Sequence, residues 1–563
     1  LELNTGKCEV VFTGAATPPS LPASLQDILP GLQGTRPSDL SLLGSPLTDS
    51  ALPTACTRTA ATIDRMCARI CRLDAHLGVF LLAHYTAAPR LTYLLRSAPL
   101  YREPEQLVAI DKLVRDTLSA VTNVTINGAA WEQASLPLRF GGLGVRSVEA
   151  AALPFHLASL HASLKLTQEI LHGPEPSTTQ TVALQRARDD AVTALGGITR
   201  LVPPAEERKQ RAWDEAFTKT VQERLLEGTD QVTRARLLAA AEPHTAAWIQ
   251  ALPVTNLGLQ LDNDSVRVAV ALRLGAAVCE PHPCQLCQRP VDRLGHHGLS
   301  CPKSAGRHAR HGNLNDVLRR AFSAAGLESV LEPTGLDRGD GRRPDGITLF
   351  PFSRGKNLVW DATCSDTFSA TSVIQSALSP GSAARCAEER KRSRYATLCE
   401  KYIFVPFAVE TTGVLGPAAA GLVKELGRRL TSCTGDKRET AWLLQRVSVA
   451  VARGNAASVL GTARHAQPRT DMPGPMKTCQ RVQPSRDPHD DPELARYLRP
   501  RVGAAAAPPL DTTSPELATQ ELADQLLEVC PSDPQPTPIP PLSSLATYAA
   551  LLAEMREGDG EAP

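Results

Sequence analysis

Two aspartates, Asp345 and Asp361, are the first residues of this sequence whose types and spacing indicate chemistry. Asp345 follows Pro344 and opens an apolar, β-favouring run, and Asp361 closes a second run, LVWD, after a turn rich in Gly and Asn. The pattern predicts two neighbouring strands that bring both carboxylates to one end of a sheet. Carboxylate oxygens are ligands that Mg²⁺ prefers, and an ion held there activates water and stabilises a phosphodiester transition state. An acid in a turn and an unrelated acid at a strand end would give the same pattern, so the pair indicates phosphodiester hydrolysis only together with its neighbours in the sequence.

A second group combines three thiols and an imidazole within a short stretch: Cys284, Cys287, His296 and Cys301. Soft sulfur and nitrogen ligands at this spacing can close a tetrahedron around Zn²⁺. Four protein ligands leave no open position, so the predicted zinc site is structural. The ligand set is not unique, since His297 can replace His296, and Cys279 or His282 can take the first position.

A basic segment leads into a predicted helix, Asn313–Gly326, between these two groups. His311 and Asn315 are four residues apart, so on a helix they share one face. Four arginines near this segment and before the first acid are candidates for contacts with backbone phosphates: Arg307, Arg310, Arg342 and Arg343.

The elements that must position these residues follow the order helix, strand, strand, helix, strand. The second helix is predicted over Ala384–Tyr402, where Lys391 and Tyr395 are again four apart, and the last strand over Ile403–Val409. This order is typical of a small mixed sheet flanked by helices.

Composition sets the broad class. The chain has 563 residues, too many for one core, and its net charge of +1 gives no global field that indicates a nucleic-acid partner. The 14 cysteines follow no disulfide rhythm and indicate a reducing compartment. No apolar run approaches the roughly 18 residues of a membrane span, and the N-terminus has no signal-peptide core. We expect neither a membrane protein nor a secreted one, and the sequence begins in mid-element, as a fragment does.

Several words of the sequence resemble non-LTR retrotransposons of the class that carries a restriction-like endonuclease. RRPDGITL, LVWDATCSDTF and FVPFAVETTGVLG carry the resemblance, together with the order of the Cys/His group, the basic helix, the two acids and the helix with Lys391. Upstream, LELN and KCEV resemble a stretch of these elements' reverse transcriptase, and AWEQASLP and GGLGVRS resemble its thumb. The family's Tyr-x-Asp-Asp turn does not occur in this sequence, so we expect no polymerase activity from it.

The resemblance implies a multidomain α and α/β protein with a restriction-endonuclease-like PD-(D/E)xK domain. Its segments are a remnant of the reverse transcriptase palm (1–20), a helical thumb-like domain (37–170), a helical connector (171–277), a CCHC zinc knuckle (278–306), the endonuclease domain (307–465) and a disordered Pro-rich tail (466–563).

The resemblance also implies a catalytic site. Asp345 and Asp361 match the acids that hold catalytic Mg²⁺, and Lys391 matches a lysine displaced from the strand onto the following helix. The site also contains Tyr395, His311 and Asn315, by the same resemblance. The broad motif has lysine two residues after the second acid, where this sequence has Thr363. Activity therefore depends on Lys391 reaching the same place.

The implied function is nicking of target DNA for target-primed reverse transcription. The expected partners are target DNA and the element's own RNA, and the expected location is the nucleus, with a cytoplasmic ribonucleoprotein stage. The alternative is a catalytically inactive remnant whose zinc knuckle binds nucleic acid.

Overall fold

The computed structural model describes residues 9–11, 24, 32–171, 178–194, 209–336 and 343–463. Within these residues the protein is mostly helical, with a four-stranded mixed sheet and three two-stranded sheets. This agrees with the expected mixture of α and α/β structure. Most of the predicted palm remnant, Arg342 and the whole predicted tail lie outside the described residues.

Helices build the first half of the described chain. Two small sheets precede them, β1 (Glu9–Val11) parallel to β2 (Gln33–Thr35) and the hairpin of β3 (Ser41–Leu42) with β4 (Ser45–Pro46). The helices are α1 (Leu52–Ile70), α2 (Ala75–Tyr85), α3 (Ala87–Ser97), α4 (Pro104–Thr122), α5 (Gly128–Ala134), α6 (Val148–Leu171), α7 (Thr178–Ala194), α8 (Gln210–Leu226), α9 (Gln231–Ala241), α10 (Ala247–Gln250) and α11 (Asn263–Leu274).

Local sequence explains the bounds of these helices. Helix α4 begins at Pro104, whose fixed φ suits a first helical turn, and it ends at Asn123, which adopts φ 51°. Helix α11 begins after Asp262, whose carboxylate accepts from the Ser265 backbone N–H at 2.8 Å, and it ends at Gly275 with φ 67°.

The second part of the chain adds a mixed α/β arrangement. Its elements are β5 (His282–Pro283), β6 (Pro290–Val291), α12 (His296–Ser300), α13 (Ala305–Ala324), β7 (Ser329–Leu331), β8 (Gly346–Thr348), β9 (Leu358–Ser365), α14 (Val373–Leu378), α15 (Ser382–Arg394), α16 (Ala396–Lys401), β10 (Ile403–Glu410), α17 (Pro417–Thr434) and α18 (Glu439–Leu460). The described residues contain no helix that is long and apolar enough to cross a bilayer.

The four-stranded sheet has the order β10-β9-β8-β7. Strand β8 is antiparallel to both neighbours, whereas β10 runs parallel to β9 with Asp361 opposite Pro406. A parallel pair needs a long crossover connection, and here the crossover contains α14, α15 and α16. The connection therefore places α15 against the parallel pair β9 and β10.

Two hydrophobic clusters form most of the core, and α18 contributes to both. The first cluster joins α1–α6 to α11 and includes Val449 and Val459 of α18. The second packs α13 and α17 against the sheet and includes Leu443 and Val447 of α18. Apolar side chains from both sides of residue 277, the predicted end of the helical connector, thus pack together in one cluster. The predicted division into domains stays a prediction.

Several element predictions need correction. Asp361 lies inside β9 and does not close it, because β10 pairs with β9 as far as Ser365. The helix predicted over Ala384–Tyr402 is broken at Tyr395, whose φ of −108° separates α15 from α16. Helix α13 begins eight residues before the predicted start at Asn313, and α17 and β7 were not predicted.

Candidate functional site

Pairing of β8 with β9 brings the two predicted acids together. Gly346 pairs with Trp360 in antiparallel register. Asp345 precedes Gly346 and Asp361 follows Trp360, so the two acids lie side by side. The Asp345 backbone N–H donates to the Trp360 carbonyl at 3.0 Å. Gly346 allows this approach, because a Cβ there would lie 2.2 Å from Trp360 Cζ2. The glycine at the start of β8 therefore allows the close strand pairing that brings the two carboxylates together.

Asp345 is held by three hydrogen-bond donors. Its Oδ2 accepts from His311 Nε2 at 2.9 Å and from the Ala362 backbone N–H at 2.6 Å, and the Asn315 side chain also bonds to it. Burial raises the pKa of Asp345, but these donors and the charge of His311 outweigh burial and hold it below its usual value. The hydrogen bond to Asp345 in turn raises the pKa of His311.

Asp361 is paired with the predicted lysine. Lys391 Nζ donates to Asp361 Oδ1 at 2.6 Å, and the side chains are 18% and 5% exposed, so the pair is largely removed from water. Burial raises the pKa of Asp361, with a contribution from the nearby charge of Asp345, and the charge of Lys391 opposes that rise. This lysine belongs to α15, whereas the usual lysine position, two residues after Asp361, is Thr363. The resemblance implies the same arrangement.

His311, Asp345 and Asp361 form a group that could hold a divalent cation. One ligand atom from each lies within 4.8 Å of the others, and the three residues come from α13, the start of β8 and the middle of β9. Two carboxylates with one imidazole are a donor set that divalent cations use in proteins. The two carboxylates therefore fit such an ion by type and by proximity, whereas His311 would have to lose the Nε2 proton that it donates to Asp345 before it could bind the ion.

Asn315 and Tyr395 support the site from behind. Asn315 Oδ1 accepts from Trp360 Nε1 at 3.0 Å, so this buried amide links the indole of β9 to Asp345. The hydroxyl of the buried Tyr395 donates to the Arg343 carbonyl at 3.2 Å and thereby holds the segment that precedes Asp345. These contacts fit a positioning role, and the catalytic role that the resemblance implies for both residues stays a prediction.

The cysteine group forms a second potential metal site, with one change of ligand. Its members are Cys284, Cys287, His297 and Cys301. Cys301 Sγ lies 3.9 Å from Cys284 Sγ and 3.7 Å from Cys287 Sγ, and Cys287 Sγ lies 3.1 Å from His297 Nε2. A tetrahedron with Zn–S of about 2.3 Å has edges of about 3.8 Å, so the thiols are spaced as such a site requires. The cluster is compatible with zinc.

His296, which the spacing of the sequence places in this cluster, lies elsewhere. Its ring stacks on Phe368 with centroids 4.1 Å apart, because α12 is a single turn whose consecutive residues point in different directions. The two candidates for the first ligand position also lie outside the cluster. His282 Nε2 bonds to Thr462 Oγ1 at 3.1 Å, and the Cys279 thiol bonds to the Asp292 carbonyl at 3.3 Å.

The four candidate phosphate-binding arginines differ in exposure. Arg307 and Arg343 are exposed, and Arg343 pairs with Glu332. Arg310 is a correction, since it is 2% exposed and donates to Asn455 Oδ1 at 2.6 Å and to the Leu299 carbonyl at 3.3 Å. A buried guanidinium with these partners joins α13 to α18 and cannot reach a phosphate backbone. Arg342 lies outside the described residues.

Sequence reasoning missed Glu388, which fixes the helix that carries the lysine. Its carboxylate accepts from the backbone N–H groups of Ala418 and Ala419 at 3.1 Å, at the N-terminus of α17. Burial raises its pKa. The available signal was a glutamate three residues before Lys391, followed much later by Gly416-Pro417, which is a helix start.

The chain was compared with protein-family models and with curated proteins. No family model matches the chain, and neither does any curated protein. The functional interpretation therefore depends on the residues and on their geometry.

Proposed function

We propose that this chain is a metal-dependent DNA endonuclease derived from a non-LTR retrotransposon. One observation supports the activity above all others: two carboxylates and an imidazole from separate elements converge within 4.8 Å, and Lys391 reaches Asp361 from a helix. The acids, the imidazole and the lysine come from four places in the sequence, so their convergence is not a consequence of one local motif. The word matches supply the retrotransposon origin.

Each residue of the site has a distinct task in this proposal. Asp345 and Asp361 would hold Mg²⁺, which supplies Lewis acidity and an activated water when bound. His311 and the Ala362 backbone N–H fix the Asp345 carboxylate in one orientation. The Lys391 ammonium stands at the edge of the site, where it orients the attacking water and stabilises negative charge that develops on the phosphate.

The cysteine cluster has a structural task. Zn²⁺ bound by Cys284, Cys287, His297 and Cys301 would lock the short β5–β6 hairpin onto α12. Arg307, exposed in the first turn of α13, follows directly and is placed to bind phosphate in target DNA or in the element's RNA. An endonuclease that cuts chromosomal DNA acts in the nucleus, so the proposal implies a nuclear location.

Nicking of supercoiled plasmid by the full chain tests the proposal. We expect relaxation that requires Mg²⁺ or Mn²⁺ and falls by about 10²-fold or more in Asp345→Asn, Asp361→Asn and Lys391→Met, because each removes a group that acts on the transition state. Arg394→Met is the matched control, since it removes an exposed cation from the same helix. Equal nicking by Lys391→Met and Arg394→Met would overturn the role of the lysine.

The second candidate is a nucleic-acid-binding protein without turnover. Thr363 at the usual lysine position and the close pairing of Lys391 with Asp361 favour it, because a bound ion must compete with that pair. In this case the wild-type chain retains oligonucleotide in a filter-binding assay, whereas plasmid stays supercoiled with either cation.

A further inference from the structure

A cavity of about 60 Å³ lies beyond the ends of the parallel strands β9 and β10. Phe368 follows β9, and Thr411–Gly413 follow β10, so the cavity begins where both strands stop. Open α/β sheets commonly bind ligands outside the carboxyl ends of their strands. Trp248 and Val451 contribute apolar wall, and Arg236 and Arg273 contribute two cations.

Both arginines are buried, at 8% exposure each. Arg273 donates to the Gly142 carbonyl at 3.0 Å and to the Ala240 carbonyl at 2.8 Å. Among the described residues, Arg236 donates through Nη1, to Gln133 Oε1 and to the Arg273 carbonyl, each at 2.6 Å. Carbonyl and amide oxygens satisfy these hydrogens without cancelling a full charge.

The charge of this pair lacks a balancing ion pair in the part of the chain that the structure describes. Asp230 is the one carboxylate there that acts electrostatically on Arg236, and none acts on Arg273. Burial lowers the pKa of Arg236 to about 10 and that of Arg273 to about 9, so both remain cationic at neutral pH. Burying unpaired charge is unfavourable, and a bound anion would offset that cost.

A third buried guanidinium and two carboxylates, Asp366 and Glu410, lie next to the cavity. Arg310 bonds to Asn455, a lining residue, and its Nε has no hydrogen-bond partner within the described residues. Asp366 accepts from Thr411 Oγ1 at 3.2 Å at the same rim. Glu410 accepts from the lining residue Thr412 at 3.4 Å, so three guanidinium groups and two carboxylates surround the cavity.

The free edge of Arg236 has the geometry that an oxyanion needs. Neither its Nε nor its Nη2 donates a hydrogen bond to any described residue. Gly275 lies against the face of this guanidinium and not at its edge, because a Cβ there would lie 2.7 Å from Nε, 2.9 Å from Cζ and 3.1 Å from Nη2. An Nε/Nη2 edge is the fork that binds two oxygens of one carboxylate or phosphate group.

The size of the cavity limits the ligand. A cavity needs roughly 10–15 Å³ to hold one water molecule, so about 60 Å³ has room for about four to six water positions. A phosphate ion or a three-carbon carboxylate is of this size, whereas a nucleotide is much larger.

We propose that this cavity binds a small oxyanion, with two oxygens on the Nε/Nη2 edge of Arg236 and the remainder against the apolar wall. Phosphate and a short-chain carboxylate share this chemistry. The site is separate from the acid–lysine group and does not depend on nuclease activity.

Thermal unfolding of the full chain in sodium phosphate, sodium propionate and sodium chloride at matched ionic strength tests the site. We expect phosphate or propionate to raise Tm in a saturable manner beyond chloride, by mass action on the folded state. Arg236→Lys keeps the charge but removes the fork, and Ala269→Leu adds bulk to the cavity wall from α11 while both arginines are kept. Each variant should raise the half-saturating concentration about tenfold or more.

The outcomes separate ligand binding from a purely structural role of the arginines. A response to phosphate alone identifies a phosphate site, and a response to propionate alone identifies a carboxylate site. Two results overturn the proposal: no anion stabilises the wild type more than chloride does, or Ala269→Leu responds like the wild type. Because Ala269 is only partly buried, this variant keeps the test valid if Arg236→Lys does not fold.

Discussion

His296 and His297 are adjacent residues with different surroundings, and this difference sets the ligand of the cysteine cluster. We expect His297→Ala to weaken metal binding by more than the roughly 10–100-fold that loss of an outer-shell partner costs, because it removes an inner ligand. His296→Ala should keep the metal and lose only the stacking on Phe368. Metal content after dialysis against a graded chelator series measures both. Release of metal by His296→Ala, with retention by His297→Ala, would reverse the assignment.

Asp111 gives the protein a pH-dependent stability far from either metal site. This buried carboxylate accepts from Ser147 Oγ at 2.5 Å and from the Val148 backbone N–H at 2.8 Å, at the start of α6. Burial raises its pKa to about 6 despite these donors. The folded protein therefore binds more protons than the unfolded chain between about pH 4 and 6, and this group's contribution to stability falls as pH rises through that window.

The expected loss is about 2 kcal/mol between pH 4.5 and 7, out of about 3 kcal/mol over the whole titration, at about 1.4 kcal/mol for each unit of the pKa difference. Asp111→Asn removes the titration, so the difference in free energy of unfolding between the two proteins should change by that amount. Urea unfolding at pH 4.5 and pH 7 measures it. A difference that is the same at both pH values would show that Asp111 ionises at its ordinary pKa when folded.

The contacts of a single residue could be predicted where its partners are close to it in the sequence. The approach of Asp345 to Asp361 follows from two runs joined by one turn, and the sequence carries that signal. Burial of Arg310 does not, because its partner Asn455 is 145 residues away and Gly454 lets the two helices approach. The choice between His296 and His297 likewise depends on Phe368, which no local pattern links to α12.

At the scale of elements, the position of the acids depends on close packing between β8 and β9. We expect Gly346→Ala to destabilise the protein by about 1–3 kcal/mol, because the new Cβ would lie 2.2 Å from Trp360 Cζ2 and must push the strands apart. Gly421→Ala is the matched control, since nothing lies within 4 Å of its Cβ position in helix α17. That control should stabilise the protein by about 0.5–1 kcal/mol.

Chemical denaturation of both glycine variants checks this prediction. Equal shifts for Gly346→Ala and Gly421→Ala would mean that the strand contact is looser than described. Strand β8 was predictable, because its apolar run follows Pro344 and precedes a turn. Helix α17 was predictable too, although it was not predicted, because GPAAAGLVKELGRRL starts with Gly416-Pro417 and carries an apolar stripe at helical spacing.

At the scale of the whole molecule, α18 connects the two hydrophobic clusters. Val449 and Val459 pack with the N-terminal helices, while Leu443 and Val447 pack against the sheet side. The sequence shows that this helix is apolar on most sides, which is typical of a buried helix. It could not show that the two sets of neighbours lie in segments predicted to be separate domains.

We therefore expect a fragment of residues 278–465 to be much less stable than a chain of residues 32–465. In the fragment, Leu299, Val449 and Val459 lose their partners in α1–α6 and α11 and face water, at a cost of about 1.5–3 kcal/mol for each large apolar side chain exposed. Circular dichroism melting should show a lower and broader transition for the fragment, with increased binding of an apolar dye. If the fragment instead melts cooperatively at the Tm of the longer chain, the contacts of α18 with the N-terminal helices contribute little, and residues 278–465 fold by themselves.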